Sequence, residues 1–220
     1  STVVASVAVV GDLRADLAFR VDAFSEWAVA FVGLLGVVTA LYATGWFRDR
    51  GGVPGKFLAW LLLAVAGAAG VLLADNLLLL LVCWEIVTLM LFLLVITVRD
   101  DGAEGAAKAF TMLGLGDLAL LVAVVLIGIG EGTWSIQELA FQTDTPVRIV
   151  AWLLFFVAAS AKAGAMPFHT WIPTMSTGSH PSVMAFLPGS LDKVLGIYLL
   201  ARISLDWFAP TPAQRLVVMI

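Results

Sequence analysis

The chain has 220 residues, of which 61% are hydrophobic and 13% are charged, and its mean hydropathy is +1.03. A soluble domain is nearer half apolar and a quarter charged, so this composition indicates an integral membrane protein. The net charge is −4 and no basic stripe is present, which argues against nucleic acid as a partner. Cys83 is the single cysteine. An internal disulfide is therefore excluded, and a zinc or iron–sulfur site is not expected.

Both ends of the sequence resemble internal positions of a longer protein. The chain opens with STVVASVAVV, which is too short to span a membrane and lacks the basic residues of a signal peptide. It stops at QRLVVMI, a few residues into another apolar stretch. We therefore expect part of a longer or split subunit, with an extracytoplasmic lead-in over 1–25, a transmembrane region over 26–203 and the start of a further helix over 204–220.

Apolar stretches of about 20 residues, the length that crosses a bilayer as a helix, recur along the whole chain. They predict an all-α membrane protein, a bundle of about six transmembrane helices. Lysine and arginine are divided evenly between the two sets of turns, so the positive-inside rule leaves the orientation undecided. The predicted spans are 26–47, 56–74, 77–98, 106–129, 147–166 and 181–203.

The connecting segments are short and polar. Turns are predicted at 48–54, at Asp75-Asn76 and at 99–106. Residues 130–146 are too polar to span, and Ser135 and Glu138 stand in capping-box spacing there, which predicts a short interfacial helix. Before the first span, GDLRADLAFRVDAF alternates charged and apolar residues, which predicts an extended or hairpin lead-in.

Five ionisable residues lie at membrane depth: Glu85, Asp117, Lys162, Asp192 and Lys193. Each costs roughly 2.5 to 3.5 kcal/mol at the centre of a lipid-facing helix, so together they would cost on the order of 10 to 15 kcal/mol. We therefore expect them to face a protein interior or a hydrated cavity. Because acids and lysines are nearly balanced, we also expect them to meet one another.

Two prolines lie close to Lys162 and Asp192 in the sequence and should interrupt the helices that carry them. Pro167 cannot donate to the carbonyl of Ala163, and Pro188 frees the carbonyl of Met184. Freed carbonyls at membrane depth occur where protein or water satisfies them, and broken helices beside ionisable groups are typical of transporter sites. Lys162 is therefore predicted to lie where a helix opens onto a polar interior.

Structural roles compete with functional ones at each of these residues. Asp117 could simply bond to a neighbouring helix, and Glu85 and Lys162 could form a structural ion pair. Asp192 and Lys193 are adjacent and must point in different directions, so one of them could be purely structural.

Three further ionisable residues lie near helix ends. Lys108 is expected at the membrane interface and His180 in a loop. His169 could cap a loop or relay protons.

Several segments resemble the antiporter-like proton-pumping membrane subunits shared by respiratory complex I, the membrane-bound energy-converting hydrogenases and the Mrp cation/proton antiporters. The resemblance covers essentially the whole chain, with its parts in family order. The matching segments are FRVDAFSEW (19–27), ADNLLLLLVCWEIVTLMLF (74–92), AAKAFTMLGLGDLALL (106–121), SAKAGAMPFHTWIP (160–173) and HPSVMAFLPGSLDKVLGIYLLARI (180–203).

The resemblance implies two inverted repeats, of which this chain would hold the first. It implies that Glu85 is the family's key glutamate, that Lys162 is the broken-helix lysine that pairs with it, and that Asp117 matches a further family aspartate. The family often has a histidine where this chain has Pro188, so Asp192 and Lys193 could take over that relay. His169 falls in the linker after the break.

These residues suggest a switchable ion pair as the mechanism. Glu85 near Lys162 would stabilise the ammonium, and separating the two would leave an isolated charge that releases its proton. On this hypothesis Lys162 is the carrier, Glu85 its modulator and Asp117 a link to a neighbouring subunit.

The leading interpretation is a proton-translocating subunit of a redox-driven respiratory or hydrogenase complex in the cell inner (cytoplasmic) membrane, with a slight preference for the hydrogenase branch. The alternatives are an Mrp-type cation/proton antiporter subunit with no redox partner, and a non-conducting scaffold. No cofactor is expected in this chain, which alone is not an enzyme; iron–sulfur, flavin or nickel–iron centres would belong to peripheral redox subunits. The expected partners are other membrane subunits, including further antiporter-like ones, the lipid bilayer, and protons or Na⁺, between which the carboxylates do not decide.

Overall fold

The computed structural model describes residues 2–10, 13–48, 52–98 and 103–219, and it is mainly helical. It opens with an antiparallel hairpin of strands β1 (Thr2–Val10) and β2 (Leu13–Phe19), with Thr2 opposite Phe19. The lead-in is therefore a hairpin. Parts of the predicted turns at 48–54 and 99–106 lie outside the described residues.

The described residues contain six helical stretches that are long and apolar enough to cross a membrane, as predicted. Their first residues lie within three positions of the predicted starts. The last two stretches run past the predicted ends, because the helical path resumes after the fifth helix breaks and continues to Trp207 in the sixth. The six are Ala23–Phe47, Gly55–Leu73, Leu77–Thr97, Glu104–Gly130, Pro146–Ser176 and Pro181–Trp207.

The α-helices that form these stretches are numbered in chain order. They are α1 (Ala23–Phe47), α2 (Gly55–Leu73), α3 (Leu77–Val98), α4 (Ala103–Gly130), α5 (Pro146–Ala163), α6 (Trp171–Gly178), α7 (Pro181–Phe186), α8 (Asp192–Arg202) and α9 (Pro212–Met219). A π-turn over Leu187–Leu191 joins α7 to α8, and another over Ile203–Trp207 follows α8. Strand β3 (Phe141–Gln142) pairs in parallel with β4 (Phe208–Ala209).

Polar side chains fix the starts of the membrane helices. Asp22 and Ser25 form a reciprocal capping box at α1, with both bonds at 2.9 Å. Asn76, in the predicted tight turn, accepts from Leu78 N at 2.8 Å and so caps α3. Thr145 accepts from Arg148 N at the start of α5. These caps satisfy backbone donors that the end of a helix leaves unpaired.

The fifth stretch breaks at Gly164, three residues before the proline that predicted the break. Gly164 adopts a left-handed conformation with φ of +67°, which glycine reaches without steric cost. Ala165 N then donates to Ser160 O at 2.9 Å, which closes the end of α5. The chain continues through a 3₁₀ turn (Phe168–Thr170) into α6.

Pro188 does not break the sixth stretch. The π-turn over Leu187–Leu191 accommodates the missing N–H, and the Ser190 hydroxyl donates to Ala185 O at 2.8 Å. The helix therefore continues directly into α8, so the carbonyl freed by proline does not open a gap in this helix.

The segment between α4 and α5 differs from the prediction. Its helical part is a single 3₁₀ turn over Ile136–Glu138, and Ser135 makes no side-chain capping bond. The segment is held instead by its tertiary contacts. Asn76 and Ser135 form an isolated antiparallel β-bridge, and Ile136 N donates to Asp75 O. Gln137 also donates to the Asp75 carboxylate. The predicted capping box is therefore wrong, because these backbone bonds draw the segment onto the α2–α3 turn.

Helix α5 lies between α4 and α8, and α2 packs along α3. Large side chains fill the core between them, including Trp84, Trp152, Phe155, Trp171 and Leu195. Helix α1 leaves most of its apolar surface exposed. The arrangement brings the middles of α3 and α4 together with the last turn of α5 and the start of α8, where the predicted ionisable residues lie.

Candidate functional site

Lys162 lies in the last turn of α5 with its side chain fully buried at 1% exposure. Its Nζ donates to the Thr88 hydroxyl at 2.5 Å and lies 3.8 Å from Asp192 Oδ1. The ammonium also lies 5.0 Å from the centroid of the Trp84 ring, in cation–π range. A buried ammonium is therefore held by a hydroxyl, a carboxylate and an aromatic face.

Asp117 occupies the facing position on α4 and is also buried. One carboxylate oxygen accepts from Trp84 Nε1 at 2.6 Å and the other from the Thr88 hydroxyl at 2.7 Å. Thr88 thus accepts from Lys162 and donates to Asp117, which joins the two charges through one hydroxyl. Charge-assisted bonds of this kind compensate part of the cost of burying a carboxylate.

Asp192 begins α8 directly after the π-turn and is fully buried at 0% exposure. Among the described residues, neither of its oxygens accepts a hydrogen bond, and Lys162 is its ion-pair partner at 3.8 Å. The adjacent Lys193 is only partly buried, so the two neighbours occupy different environments.

Glycine allows the helices to approach closely at this point. A Cβ on Gly116, next to Asp117, would lie 2.6 Å from Ala161 Cβ. A Cβ on Gly196, one turn after Asp192, would lie 2.5 Å from Ala163 N. The two glycines therefore let α4 and α8 approach α5 on either side of Lys162.

Glu85 is exposed on α3, one residue after Trp84. It interacts electrostatically with Asp117 and Lys162, but no ion pair joins it to Lys162 in the part of the chain that the structure describes. The carboxylate that the structure brings to Lys162 is that of Asp192. The proposed role of Glu85 as a modulator stays a prediction.

The remaining predicted residues lie outside this group. His169 is exposed in the 3₁₀ turn after the break, and Lys108 is exposed at the start of α4, where it donates to Thr174 at 2.8 Å. His180 is buried and caps α7 by accepting from Ser182 N, with its ring stacked 5.1 Å from Phe47. His180 thus lies in the short connection between α6 and α7, as expected, and it also caps α7.

The sequence reasoning missed Trp84 and Thr88, which supply the polar contacts of Lys162 and Asp117. The two are four positions apart and therefore share one face of α3. The signal was present, since a hydroxyl and an indole N–H on one helical face inside an apolar span require buried partners. Among the described residues, no cluster of three or more His, Cys, Asp and Glu side chains is arranged to hold a metal ion.

Residues 74–220 match the family model described as "NADH:quinone oxidoreductase/Mrp antiporter, TM". This match covers more than half of the chain, including Glu85, Asp117, Lys162, Asp192 and Lys193. The chain belongs to this family.

Curated members of the antiporter family are similar over most of the chain. "Putative antiporter subunit mnhA2" of Staphylococcus aureus (strain MRSA252) is 32% identical over 197 residues, which is 87% of this chain and 24% of the relative. A protein of Rhizobium meliloti (strain 1021), named as a probable K⁺/H⁺ antiporter subunit, is 30% identical over 199 residues, which is 88% of this chain and 20% of the relative. The chain thus spans about a quarter or less of the length of these relatives.

Solved structures of the antiporter family share the fold. In the Mrp complex from Dietzia sp. DQ12-45-1b, one chain matches with a TM-score of 0.78 and 27% identity, covering 90% of this chain and 22% of that one. One chain of respiratory complex I from Thermus thermophilus matches with a TM-score of 0.75 and 23% identity. The match covers 97% of this chain and 44% of that one. The chain is therefore a multi-pass membrane protein of the antiporter-like superfamily, as predicted.

Proposed function

We propose that the chain is part of a cation/proton antiporter subunit of the Mrp kind, in which Lys162 carries the proton at the membrane centre. The observation that supports this most directly is the burial of the Lys162 ammonium between Thr88 and Asp192. A lysine is a suitable carrier because its affinity for the proton depends strongly on burial and on nearby charge. A lysine with only a structural role at this depth would incur the same desolvation cost without contributing to transport.

In this proposal the neighbouring carboxylates set the state of Lys162. Asp192 at 3.8 Å favours the ammonium, and Asp117 does so through Thr88. Moving either contact away would leave the ammonium in a low-dielectric environment and release its proton. Glu85 acts on the same site from the exposed face of α3. Moving one charge across 100 mV changes its energy by about 2.3 kcal/mol, so a modest change in these contacts is sufficient to couple to the gradient.

The names of the relatives favour this reading over the redox-driven complex that the sequence analysis preferred. The curated relatives described above are named antiporter subunits. The likeness to complex I, at 23% identity, concerns the fold alone. Neither those relatives nor those structures are hydrogenases, so the expected hydrogenase branch has no support from them.

The same relatives suggest the setting of the protein. Because they are named as subunits, and one solved neighbour is an Mrp complex, we propose that the chain works with other membrane subunits, including antiporter-like ones. We place this assembly in the cell inner membrane. Peripheral redox subunits belong to the less supported reading.

Exchange measured in proteoliposomes tests the role of Lys162. The complete subunit, reconstituted with its native complex, should release protons from the lumen when NaCl or KCl is added outside. Lys162→Gln should lower the initial rate about tenfold or more, since it removes the carrier. Lys56→Gln, which changes an exposed lysine near the start of α2, should leave the rate unchanged. Equal rates in wild type and Lys162→Gln would refute the assignment.

The composition of the native complex decides between the two readings. The tagged subunit should be extracted gently from its own membrane and its partners identified by mass spectrometry. We expect further membrane antiporter subunits. Stoichiometric iron–sulfur or flavin proteins would instead support the redox-driven reading.

A further inference from the structure

Trp84 contacts both of the charges that Thr88 joins. The residue lies on α3 with 0% of its surface exposed. Its Nε1 donates to Asp117 Oδ1 at 2.6 Å, and the Lys162 ammonium lies over its ring, with Nζ 5.0 Å from the ring centroid. A carboxylate thus lies at the edge of one indole and an ammonium over its face. Both positions suit the charge distribution of an aromatic ring, whose edge is positive and whose face is negative.

The hydrogen bond of Trp84 sets it apart from the other tryptophans of the core. Four further tryptophan side chains are 4% exposed or less, and their Nε1 atoms donate to no acceptor in the described part of the chain. Indoles therefore fill this core without using the N–H group. The N–H of Trp84 is used, and its acceptor is a buried carboxylate beside the proposed proton carrier. The four are Trp134, Trp152, Trp171 and Trp207.

In the part of the chain that the structure describes, no ion pair joins Asp117 to Lys162. The oxygens of Asp117 accept from Trp84 Nε1 and from the Thr88 hydroxyl, and the carboxylate paired with Lys162 is that of Asp192 at 3.8 Å. Coulomb attraction rises as two charges approach, and it is strong in a low-dielectric interior. A direct bond from Lys162 to Asp117 would hold the proton on the ammonium, whereas a carrier has to release it in every cycle.

We propose that Trp84 is a positioning residue that keeps the Asp117 carboxylate away from Lys162, so that the ammonium stays able to release its proton. This proposal rests on the proposed antiporter function and adds a control on its proton carrier. The indole gives the carboxylate a donor other than the ammonium. Its face also stabilises the ammonium, more weakly than a carboxylate in direct contact would. The indole itself neither takes up nor releases a proton in the exchange.

Other charged groups also face Lys162. Asp192 on α8 is its ion-pair partner, Lys193 beside it interacts electrostatically with Asp192, and Glu85 on α3 interacts electrostatically with Lys162. These groups contribute to the pH range of exchange in the wild type. Because the single N–H of the indole is bonded to Asp117, removing that N–H should change the pH range through Asp117.

The pH dependence of exchange tests the proposal. The complete subunit, reconstituted with its native complex in proteoliposomes, should be assayed for its initial rate at a series of pH values. Trp84→Phe keeps an aromatic face over the ammonium and removes the N–H. Asp117, left with one donor fewer, should then bond to Lys162 and hold its proton to higher pH. The pH of half-maximal exchange, on the side where proton release limits the rate, should therefore rise by about one unit or more.

Trp152→Phe is the matched control, because it makes the same change in an indole that is 1% exposed and whose N–H donates to no described residue. It should leave the pH dependence unchanged. In an Asp117→Asn background, Trp84→Phe should no longer move the pH of half-maximal exchange, since the charge that it frees is gone. If Trp84→Phe lowered the rate without moving the pH dependence in either background, its role would be purely structural and the proposal would be overturned.

The variants also separate this proposal from the proposed function. An unmoved pH dependence in Trp84→Phe, with Lys162→Gln inactive, overturns the positioning role and leaves the proposed function standing. Wild-type rates in Lys162→Gln overturn the proposed function itself. Should Trp84→Phe fail to assemble, an experimental structure of the native complex decides. A Trp84–Asp117 hydrogen bond with no bond from Lys162 to Asp117 supports the proposal, and a direct Lys162–Asp117 bond overturns it.

Discussion

At the scale of single residues, the Thr88 hydroxyl connects two opposite charges by hydrogen bonds. Its hydroxyl accepts from Lys162 at 2.5 Å and donates to Asp117 at 2.7 Å, and the residue is 2% exposed. A hydroxyl has one proton to donate and lone pairs to accept with, so it can serve both partners at once. A change in the charge of Lys162 therefore alters the hydrogen bond that Thr88 donates to Asp117, although Lys162 and Asp117 are not hydrogen-bonded to each other.

Thr88→Val tests this connection, because it keeps the shape of the side chain and removes the hydroxyl. We expect the free energy of unfolding to fall by about 1 to 3 kcal/mol, since a buried ammonium and a buried carboxylate each lose a partner. We also expect the exchange rate in proteoliposomes to fall. Thr97→Val on the same helix, whose hydroxyl donates to Leu93 O at 2.6 Å, should lower stability by less than Thr88→Val and leave exchange intact. Equal effects of the two variants would contradict a special role for Thr88.

At the scale of helices, close packing on glycine determines which charges meet. A Cβ on Gly196 would lie 2.5 Å from Ala163 N and 2.6 Å from Ala159 O. Both are backbone atoms of α5, which cannot move aside as a flexible side chain could. The separation of α8 from α5, and with it the distance between Asp192 and Lys162, therefore depends on the absence of a side chain at this one position.

Gly196→Ala should force α8 away from α5. Overpacking of this kind typically costs about 1 to 3 kcal/mol, so we expect a lower free energy of unfolding together with weaker exchange. Gly114→Ala on α4 is the control, because a Cβ there meets no described residue within 4 Å and alanine favours the helix. Thermal unfolding of both variants in detergent measures the difference. A variant Gly196→Ala as stable as Gly114→Ala would show that α8 has room to adjust.

At the scale of the whole molecule, a second polar cluster connects the end of α8 with the start of α1 and the end of α2. Arg202, at the end of α8, donates to Asp22 at the start of α1, to Asp206 at 2.6 Å and to the Tyr198 hydroxyl at 3.0 Å. Tyr198 in turn donates to Leu72 O at the end of α2 at 2.9 Å. One guanidinium thus ties together helices that are distant in sequence.

The pH dependence of stability should reveal this cluster. Burial raises the pKa of Asp22, but the Ser25 N–H and the Arg202 guanidinium outweigh it and hold the pKa below its ordinary value. The resulting stabilisation is present above the ordinary pKa of the carboxyl and is lost as the pH falls through the lowered pKa. Asp22→Asn keeps the helix cap and removes the charge. We expect it to lower the free energy of unfolding by about 1 kcal/mol at neutral pH.

In acid the difference between Asp22→Asn and the wild type should disappear, because protonation removes the same charge from the wild type. Unfolding in detergent at a series of pH values measures this convergence. Asp206→Asn, whose carboxylate is 49% exposed, should cost less at neutral pH. A difference for Asp22→Asn that persists at low pH would mean that its charge is not what stabilises the cluster.

The membrane spans could be predicted from the sequence because lipid requires each spanning segment to satisfy its own backbone, which makes length and hydropathy sufficient. The same reasoning identified Asp117, Lys162 and Asp192 as residues that need an interior, since each is too costly to face lipid. The break after α5 was predicted as well, although Gly164 rather than Pro167 ends the helix. These are local properties of the chain.

The contacts among these residues depended on the tertiary structure. Whether Glu85 or Asp192 lies against Lys162 depends on the rotation of α3 and on the approach of α8 at Gly196, and neither is encoded in one helix alone. For the same reason the polar segment after α4 follows its contacts with Asp75 rather than its own capping pattern. The sequence by itself determined which residues are too costly to face lipid, because that is a matter of solvation, but one of them, Glu85, is exposed on α3. Only packing decided which of them touch, because side chains meet where helices from distant parts of the chain fit closely.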